Sequence, residues 1–344
     1  VERKKPSVMA TMKDVAEKAG VSTATVSRAL MNPEKVSVQT RKRVQIAVQS
    51  VGYDPQPLAR QIKRSETRNL LVMVPDICDP FFAEILRGIE ETADEQGYLV
   101  LLADCAHQQP TRKSFTNLII ARQIDGILLL GSNLPFAIDK SQQQNFPPMV
   151  MANEFVPELE LSTVHIDNLT ASYEAVDYLF KLGHRRIGCI GGTEKHPQCQ
   201  YRTQGYIQAL RRHGIPTDQQ MLFLGDISYQ TGACGLNTLI SQSQPPTAIF
   251  CHSDIIAFGA LSQAKKIGLT VPDDLSLIGF DDITLANFCD PPLTTVAQPS
   301  YQIGREAMLL LLQQIRQHQI SNTSLLLDSK LIVRGSSSPP RKKT

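Results

Sequence analysis

The sequence predicts a small all-α head followed by an α/β body of two doubly wound parallel-sheet lobes. Three observations lead there. Residues 11–52 carry three short apolar stripes at helical spacing, each closed by a turn signal. From Asn69 onward, apolar runs of strand length alternate with amphipathic stretches of helix length. Charge divides at the same place: residues 1–68 hold 14 Lys/Arg against 6 Asp/Glu, leaving 21 and 27 for the remainder. A basic head on an acidic body predicts a polyanionic partner for the head alone. At 344 residues the chain also exceeds one typical core, so more than one domain is expected.

The head reads as residues 11–54, after a polar tail at 1–10 expected to be disordered. Thr11 is placed to cap a first helix, and Asp14, three residues on, resembles a capping box. Met12, Val15, Ala16 and Ala19 form its apolar stripe, and Gly20 stops it. Ser22 caps a second helix from Thr23 to about Met31, with Val26, Ala29 and Leu30 inward. Ser37 starts a third, with Val44, Ala47, Val48 and Val51 buried and Gly52 as terminator. So short a module buries little apolar surface and should be marginally stable. Residues 55–68 form a polar, basic linker. If 56–63 became helical, Leu58, Ala59 and Ile62 would share one face, and Pro57 would be tolerated only in the first turn.

In the body, Leu70–Val74 is a strand. Asp79–Gln96 is a helix with Phe82, Ile85, Leu86 and Ile89 inward and Gly97 as its stop. Further strands are predicted at 98–103, 127–130, and near 148–152, 186–190, 247–251 and 275–280. Helices are predicted near 170–182, 200–213, 229–240, 254–267 and 301–318. Helix, then Gly, then strand recurs at Gly97, Gly183 and Gly268, the rhythm of parallel sheets with helices on both faces. The run is too long for one such sheet. Residues 336–344, S-S-S-P-P-R-K-K-T, are poor in apolar content and are expected to be disordered.

The chemistry points to binding rather than catalysis. There is no G-x-S-x-G, no G-x-x-x-x-G-K-[ST] and no H-E-x-x-H. The seven histidines are dispersed, so neither a metal site nor a cofactor is expected. Seven scattered cysteines without C-x-x-C pairs read as reduced core residues of a cytoplasmic protein. No apolar run is long enough to span a membrane, and V-E-R-K-K-P lacks the apolar stretch of a secretion signal.

In the head, the second helix is the candidate reader of the DNA major groove. Thr23, Ala24 and Arg28 lie near one exposed face at helical spacing. Arg28 can pair with a guanine edge, while Thr23 or Ala24 can touch a thymine methyl. Ser22, Thr25 and Ser27 offer hydroxyls to phosphates, and Thr11 and Lys35 complete the head's candidate contacts. Tyr53 and Gln56 are further phosphate candidates, with Ala59 and Ile62 on the linker's groove-facing side.

In the body, polar residues follow strand ends, where a doubly wound sheet opens its crevice. Asn153 follows 149–151, Asp254 follows 248–251, and Asp281 follows 275–280. Phe81 and Phe82 follow the first strand. Carboxylates and an Arg such as Arg202 can hold sugar hydroxyls, and a Phe can stack on a sugar or base. Taken singly, the Asp residues read equally well as helix caps and the Phe pair as core.

The segment D-V-A-E-K-A-G-V-S-T-A-T-V-S-R-A-L, followed by V-G-Y-D-P, resembles the lactose/galactose-repressor family of bacterial regulators. V-P-D-I-C-D-P-F-F, V-H-I-D-N, P-P-T-A-I-F-C-H-S-D, L-S-L-I-G-F-D-D and P-L-T-T-V-A-Q-P extend the likeness from about Thr11 to about Gly335. The resemblance implies a periplasmic-binding-protein-like effector and dimerisation domain at 69–335. Its first lobe would span about 69–166 and 296–325, and its second about 167–295 and 326–335. It implies a homodimer on double-stranded operator DNA, repression relieved by an effector, and a hinge at 55–68 that folds on DNA. Phe82, Asn153, Arg202, Asp254 and Asp281 match the family's pocket positions, as do Phe81, Ile227 and Gln298. The family usually has Leu where this chain has Ile62 and lacks Pro57, so a weaker or shorter hinge helix is expected. The wording M-A-N-E-F-V-P-E-L-E-L and F-C-D-P-P-L-T-T is similar to nucleoside-responsive members. It implies cytidine as inducer and cooperation with the cyclic-AMP receptor protein. The alternatives are a solute-binding receptor of a transport system, an enzyme on a doubly wound fold, and a nucleoid protein without sequence preference.

Overall fold

A computed structural model describes residues 11–52, 67–106, 121–132, 146–317 and 322–341. The chain divides into two compact units, Val1–Arg68 and Asn69–Thr344.

The first unit holds three helices among its described residues: α1 (Met12–Ala19), α2 (Thr23–Met31) and α3 (Val38–Val51). The Thr11 hydroxyl accepts from the Asp14 N–H, and the Asp14 carboxylate accepts from the Thr11 N–H, closing the capping box. Ser22 and Ser37 cap α2 and α3 through the N–H groups of Thr25 and Thr40. Gly20 and Gly52 end α1 and α3 at φ of 63° and 65°, a region costly for any side chain. A short 3-10 turn, Pro33–Lys35, fills the α2–α3 connection, which the sequence pattern does not reveal. Val15, Ala16, Ala19, Val26, Ala29, Val44 and Ala47 form a core of small side chains. The expected 1–10 tail lies outside the described residues. So do Tyr53, Gln56, Pro57, Leu58, Ala59 and Ile62, with the hinge reading placed on them.

The second unit contains two six-stranded sheets. The first has the order β11–β5–β4–β3–β1–β2. Its strands are β1 (Asn69–Val74), β2 (Leu99–Asp104), β3 (Gly126–Leu129), β4 (Met149–Ala152), β5 (Ser162–Ile166) and β11 (Ser324–Leu327). The second, ordered β12–β10–β9–β8–β6–β7, comprises β6 (Ile187–Gly192), β7 (Leu222–Gly225), β8 (Ala248–Cys251), β9 (Ser276–Asp281), β10 (Thr294–Ala297) and β12 (Lys330–Ile332). All pairings are parallel except β10 with β12. Alternation along β1 explains its unbroken apolar run. Leu70, Val72 and Val74 enter one core and Leu71 and Met73 another, because both faces of the sheet are covered.

The helices are α4 (Phe81–Glu95), α5 (Asn168–Leu182), α6 (Pro197–Arg212), α7 (Tyr229–Ile240), α8 (Asp254–Lys266) and α9 (Ser300–Gln317). Glycines set how closely they pair. A Cβ on Gly232 of α7 would lie 1.9 Å from the Ile256 carbonyl oxygen of α8, and one on Gly259 of α8 would lie 2.0 Å from the Tyr229 carbonyl oxygen.

Three features differ from the expectations. The chain crosses between sheets after Ile166, after Ala297 and after Leu327, so the last two crossings fall two residues beyond the boundaries read at 296 and 325. Ladder pairing carries each strand further: Ala297 pairs with Asp281 and Leu327 with Ile166. The tail read as disordered from 336 is docked as far as Arg341. The Ser336 hydroxyl donates to the Leu277 carbonyl and accepts from the Thr294 N–H, while Ser338 exchanges hydrogen bonds with Ser276. His184 holds the Ser338 carbonyl at 2.9 Å, and Arg341 pairs with Asp273 and Asp274. Hydroxyls that look like solubilising residues in sequence here satisfy backbone groups at the starts of the interior strands β9 and β10. Lastly, Cys189, Cys199 and Cys251 are buried as expected, but Cys78 and Cys234 lie on the surface; all seven are free thiols.

Candidate nucleic-acid interface and ligand cleft

On the head, Ser22 sets where α2 starts, and that start decides which side chains face outward. Val26 and Ala29 turn into the core, so Thr23, Ala24 and Arg28 are left exposed on the other side. Thr25 is half-buried, with its hydroxyl 2.9 Å from that of Ser22, so this pair is already partly engaged at the helix start. Ser27 is half-buried, whereas Thr11 and Lys35 are exposed. The face presents one guanidinium, small side chains and free helical N–H groups, the inventory for reading base edges and gripping phosphate.

In the body, the carboxyl ends of β4, β6, β8 and β9 bring polar groups together. Arg202, on α6, is 2% exposed. Its Nε donates to Asn168 Oδ1 at 2.8 Å, its Nη1 donates to the His252 carbonyl, and its guanidinium stacks 3.7 Å from the Phe280 ring centroid. Asp281 ends β9, with Oδ1 3.6 Å from Arg202 Nη1 and accepting from Gln298 Nε2 at 2.8 Å. Burial pushes the Asp281 carboxyl up to about 7; Arg202 and Gln298 pull it down, and Asp79 pushes it further up. Asp281 has φ of 111° and Asn153 has φ of 71°, positions an L residue adopts only under constraint.

Among the described residues, two pocket candidates hold a buried amide oxygen without a hydrogen-bond partner: Asn153 Oδ1 in the first lobe and Gln298 Oε1 in the second. An unmatched buried acceptor costs about 1–3 kcal/mol, which a ligand donor can recover. Phe81 and Phe82 open α4 with their rings 5.3 Å apart, edge to face, and both are 6% exposed. Ile227 follows β7, and a Cβ on Gly192 would sit 3.1 Å from it and 2.5 Å from Cys199 Sγ, at the start of α6.

Asp254 is the exception among the sequence-derived pocket residues. It is fully buried, and both its oxygens are spent inside the second lobe. Oδ2 accepts from the Ile283 N–H at 2.9 Å and Oδ1 from the Thr295 hydroxyl at 2.6 Å. Its carboxyl is raised well above the ordinary value by burial and by the neighbouring Asp281. It braces the strand end that carries Asp281 and offers no open carboxylate.

The sequence reading omits several residues that meet here. Asp79 accepts from the Phe81 N–H at the start of α4, and burial raises its carboxyl. Its signal was the D-P-F-F of the first strand–helix turn. Glu154, 4% exposed, accepts from the Ser132 N–H and lies 3.8 Å from His196 Nδ1. Its signal was adjacency to Asn153, but pairing with His196 depends on how the two lobes approach. His252, buried beside Arg202, has its imidazole pushed down to about 3 by burial and then by the Arg202 charge, so it stays neutral.

The model of bacterial regulatory proteins of the lacI family matches residues 11–56. The model described as periplasmic binding proteins and sugar binding domain of LacI family matches residues 67–334. The chain is 62% identical over 98% of its length, and 98% of the relative's, to the HTH-type transcriptional repressor CytR of Escherichia coli strain K12. Among solved structures, a transcriptional regulator CelR–cellobiose complex is 30% identical, with a TM-score of 0.71 over 95% of this chain and 99% of that one. The lac repressor dimer bound to operator and the anti-inducer ONPF shares the fold, with a TM-score of 0.81 at 24% identity over 96% of this chain and 100% of that one.

Proposed function

Because this chain belongs to the lacI family of bacterial regulatory proteins and is a DNA-binding transcriptional repressor with an effector-binding domain, we propose that a nucleoside, cytidine, fills its cleft and weakens its grip on operator DNA. The family match to the head sets aside the transport receptor, and the match to a repressor over the whole chain sets aside the enzyme.

The observation that carries the reading is the set of unmatched acceptors around one charged pair. Asn153 Oδ1 and Gln298 Oε1 lack donors, and Asp281 is bound only through Oδ1 in the contacts it makes with Gln298 and Arg202. A ribose diol and an exocyclic amine supply the donors that such acceptors require, and in this reading Phe81 or Phe82, both core residues at the start of α4, offers a ring edge to the base. Phe82, Asn153, Arg202, Asp281 and Gln298, with Phe81 and Ile227 beside them, form the effector site in this reading, and Asp254 supports it from behind.

Repression follows from two such chains. A dimer in the cytoplasm docks two heads on a pseudo-palindromic site, with Thr23, Ala24 and Arg28 at base edges. Ser22, Thr25, Ser27, Thr11 and Lys35, with Tyr53 and Gln56, grip phosphates, and Ala59 and Ile62 enter the minor groove. Basic side chains supply the non-specific affinity. The effector acts only through its different affinity for two lobe arrangements. Cooperation with the cyclic-AMP receptor protein is part of the same proposal. Calorimetry on the full chain with cytidine, uridine, adenosine and ribose tests the effector. Heat from cytidine, abolished in Asp281→Asn, is expected; heat from another of these and none from cytidine overturns its identity and leaves the repressor assignment intact.

A further inference from the structure

The hydrogen-bonding groups left unspent in the cleft differ between the lobes. In the second lobe, donors and acceptors stand together among the described residues. Arg202 commits Nε and Nη1, which leaves Nη2 to give. Asp281 uses only Oδ1 in its contacts with Arg202 and Gln298, and Gln298 Oε1 is unmatched. Hydroxyls both donate and accept, so a sugar edge suits this set.

In the first lobe only acceptors remain. Asn153 gives its Nδ2 to Gln198 Oε1 at 3.4 Å and keeps a bare Oδ1. Glu154, 4% exposed, spends Oε2 on the Ser132 N–H. Its Oε1 makes no hydrogen bond among the described residues. His196 Nδ1 stands 3.8 Å from that oxygen, beyond hydrogen-bond reach, and 3.5 Å from the Ser132 hydroxyl. The His196 side chain is 29% exposed, so Oε1 borders an opening rather than sealed core. Ser132 and Glu154 follow β3 and β4, and His196 follows β6, all at strand carboxyl ends where a parallel sheet opens its crevice. A carboxylate offers lone pairs alone, and leaving one oxygen unmatched in so enclosed a place is costly. Its complement is a group that donates without accepting. In a nucleoside that group is the exocyclic amine of the base, whose lone pair is drawn into the ring.

We propose that Glu154 reads the exocyclic amine of the base and is the residue by which the cleft selects cytidine over uridine, an inference that rests on the nucleoside reading above. Glu154 Oε1 accepts an amine N–H of cytosine. Uracil carries a carbonyl oxygen at the same ring position, which sets acceptor against acceptor and leaves the carboxylate unmatched. The Ser132 N–H fixes the pose: it holds Oε2, so Oε1 cannot turn away from the base. The same anchor decides what a carboxamide would do. In Glu154→Gln the side-chain oxygen takes the Ser132 N–H, and the amide nitrogen then occupies the place of Oε1 as a donor.

Calorimetry on the full chain at one fixed pH tests this with three ligands: cytidine, uridine and the riboside of pyrimidin-2-one, which carries hydrogen where cytidine carries the amine. The wild type is expected to bind cytidine at least about 10-fold more tightly than either of the others. Glu154→Gln should shift the cytidine-to-uridine ratio by about 10- to 100-fold toward uridine. Its affinity for the pyrimidinone riboside should stay within about 3-fold of wild type, showing that the cleft is still formed. Circular dichroism verifies folding. Three results overturn the role of Glu154 while leaving the nucleoside reading in place: a wild type that binds cytidine and the pyrimidinone riboside equally, a Glu154→Gln ratio equal to wild type, or a variant that loses the pyrimidinone riboside as fully as cytidine. Absence of heat from all three ligands with the wild type overturns both.

Discussion

The head and the body are held by contacts of different range. In the head every helix start is made by a residue three positions away: Thr11 with Asp14, Ser22 with Thr25, Ser37 with Thr40. In the body the decisive contacts leap across the chain. Asp254 reaches Ile283 and Thr295, Arg202 reaches His252 and Asp281, and Ser336 reaches Leu277 and Thr294. A module built from local contacts can present a reading face with little core behind it. A cleft that holds a charge pair away from water needs two full lobes around it. The difference teaches that DNA reading and effector sensing rest on separable physics within one chain.

The sharpest way to break that separation is to cripple each region in turn. Arg28→Ala should lower operator affinity by about 10- to 100-fold per half-site, as expected for a lost bidentate base contact, while leaving effector heat unchanged. Asp281→Asn should do the reverse. Band-shift titration at fixed salt, paired with calorimetry, reads both; if either variant moved both properties, the regions would be energetically one.

Glycine substitutions sharpen the same contrast. Gly232→Ala drives a methyl into the Ile256 carbonyl oxygen at 1.9 Å, and should cost upward of about 3 kcal/mol because backbone must move. Gly20→Ala meets nothing within 4 Å and pays only for its φ of 63°, about 1–2 kcal/mol. Thermal melts should show a larger fall for the first.

Ser336→Ala leaves the buried Thr294 N–H without its acceptor and should destabilise the body by about 1–3 kcal/mol. Removing residues 336–344 should lower the body's melting temperature as well, whereas an undocked tail would make both changes silent.

The smallest expected effect is in pH dependence, where Asp281 in the body and Asp14 in the head act with opposite sign. Asp281 is raised to about 7 from an ordinary 3.8, so between these values the folded body binds more protons than the unfolded chain. Its contribution to stability therefore falls as pH rises through that window, and Asp254 acts in the same direction. Asp14 in the head is lowered by its hydrogen bonds from the Thr11 hydroxyl and N–H. Its contribution is present at neutral pH and is lost as pH falls below about 4. Buried His252, pushed down to about 3 from an ordinary 6.5, contributes in the opposite direction over the same window, so the readout is the difference: between pH 4 and pH 7 the stability of Asp281→Asn should rise more, or fall less, with pH than that of the wild type.

Legibility in the sequence follows the same divide. The head's caps, apolar stripes and Gly stops could be read almost residue by residue, because each is settled within four positions. In the body, the long amphipathic helices and the apolar strands β1, β2, β3, β4, β6, β8 and β9 were visible as patterns. The strands β5, β7, β10, β11 and β12 were not predicted as elements: S-T-V-H-I, T-T-V-A and K-L-I are short or mix polar residues with apolar ones. Asp254 and Asp281 looked alike, each an Asp after an apolar strand. Asp254 is enclosed by Thr295 and Ile283 from more distant segments, which no local pattern announces.

Sequence alone therefore determined the reading helix, its caps, the basic-to-acidic divide and the two-lobed α/β plan. Those are consequences of periodicity, propensity and charge, which act over a few residues. Only the tertiary structure decided which carboxylate pairs with Arg202, that Glu154 meets His196, and that the serine-rich tail docks on the first residues of the interior strands β9 and β10. Those outcomes depend on groups far apart in the chain arriving within hydrogen-bond reach, and distance in space is set by packing rather than by order along the sequence.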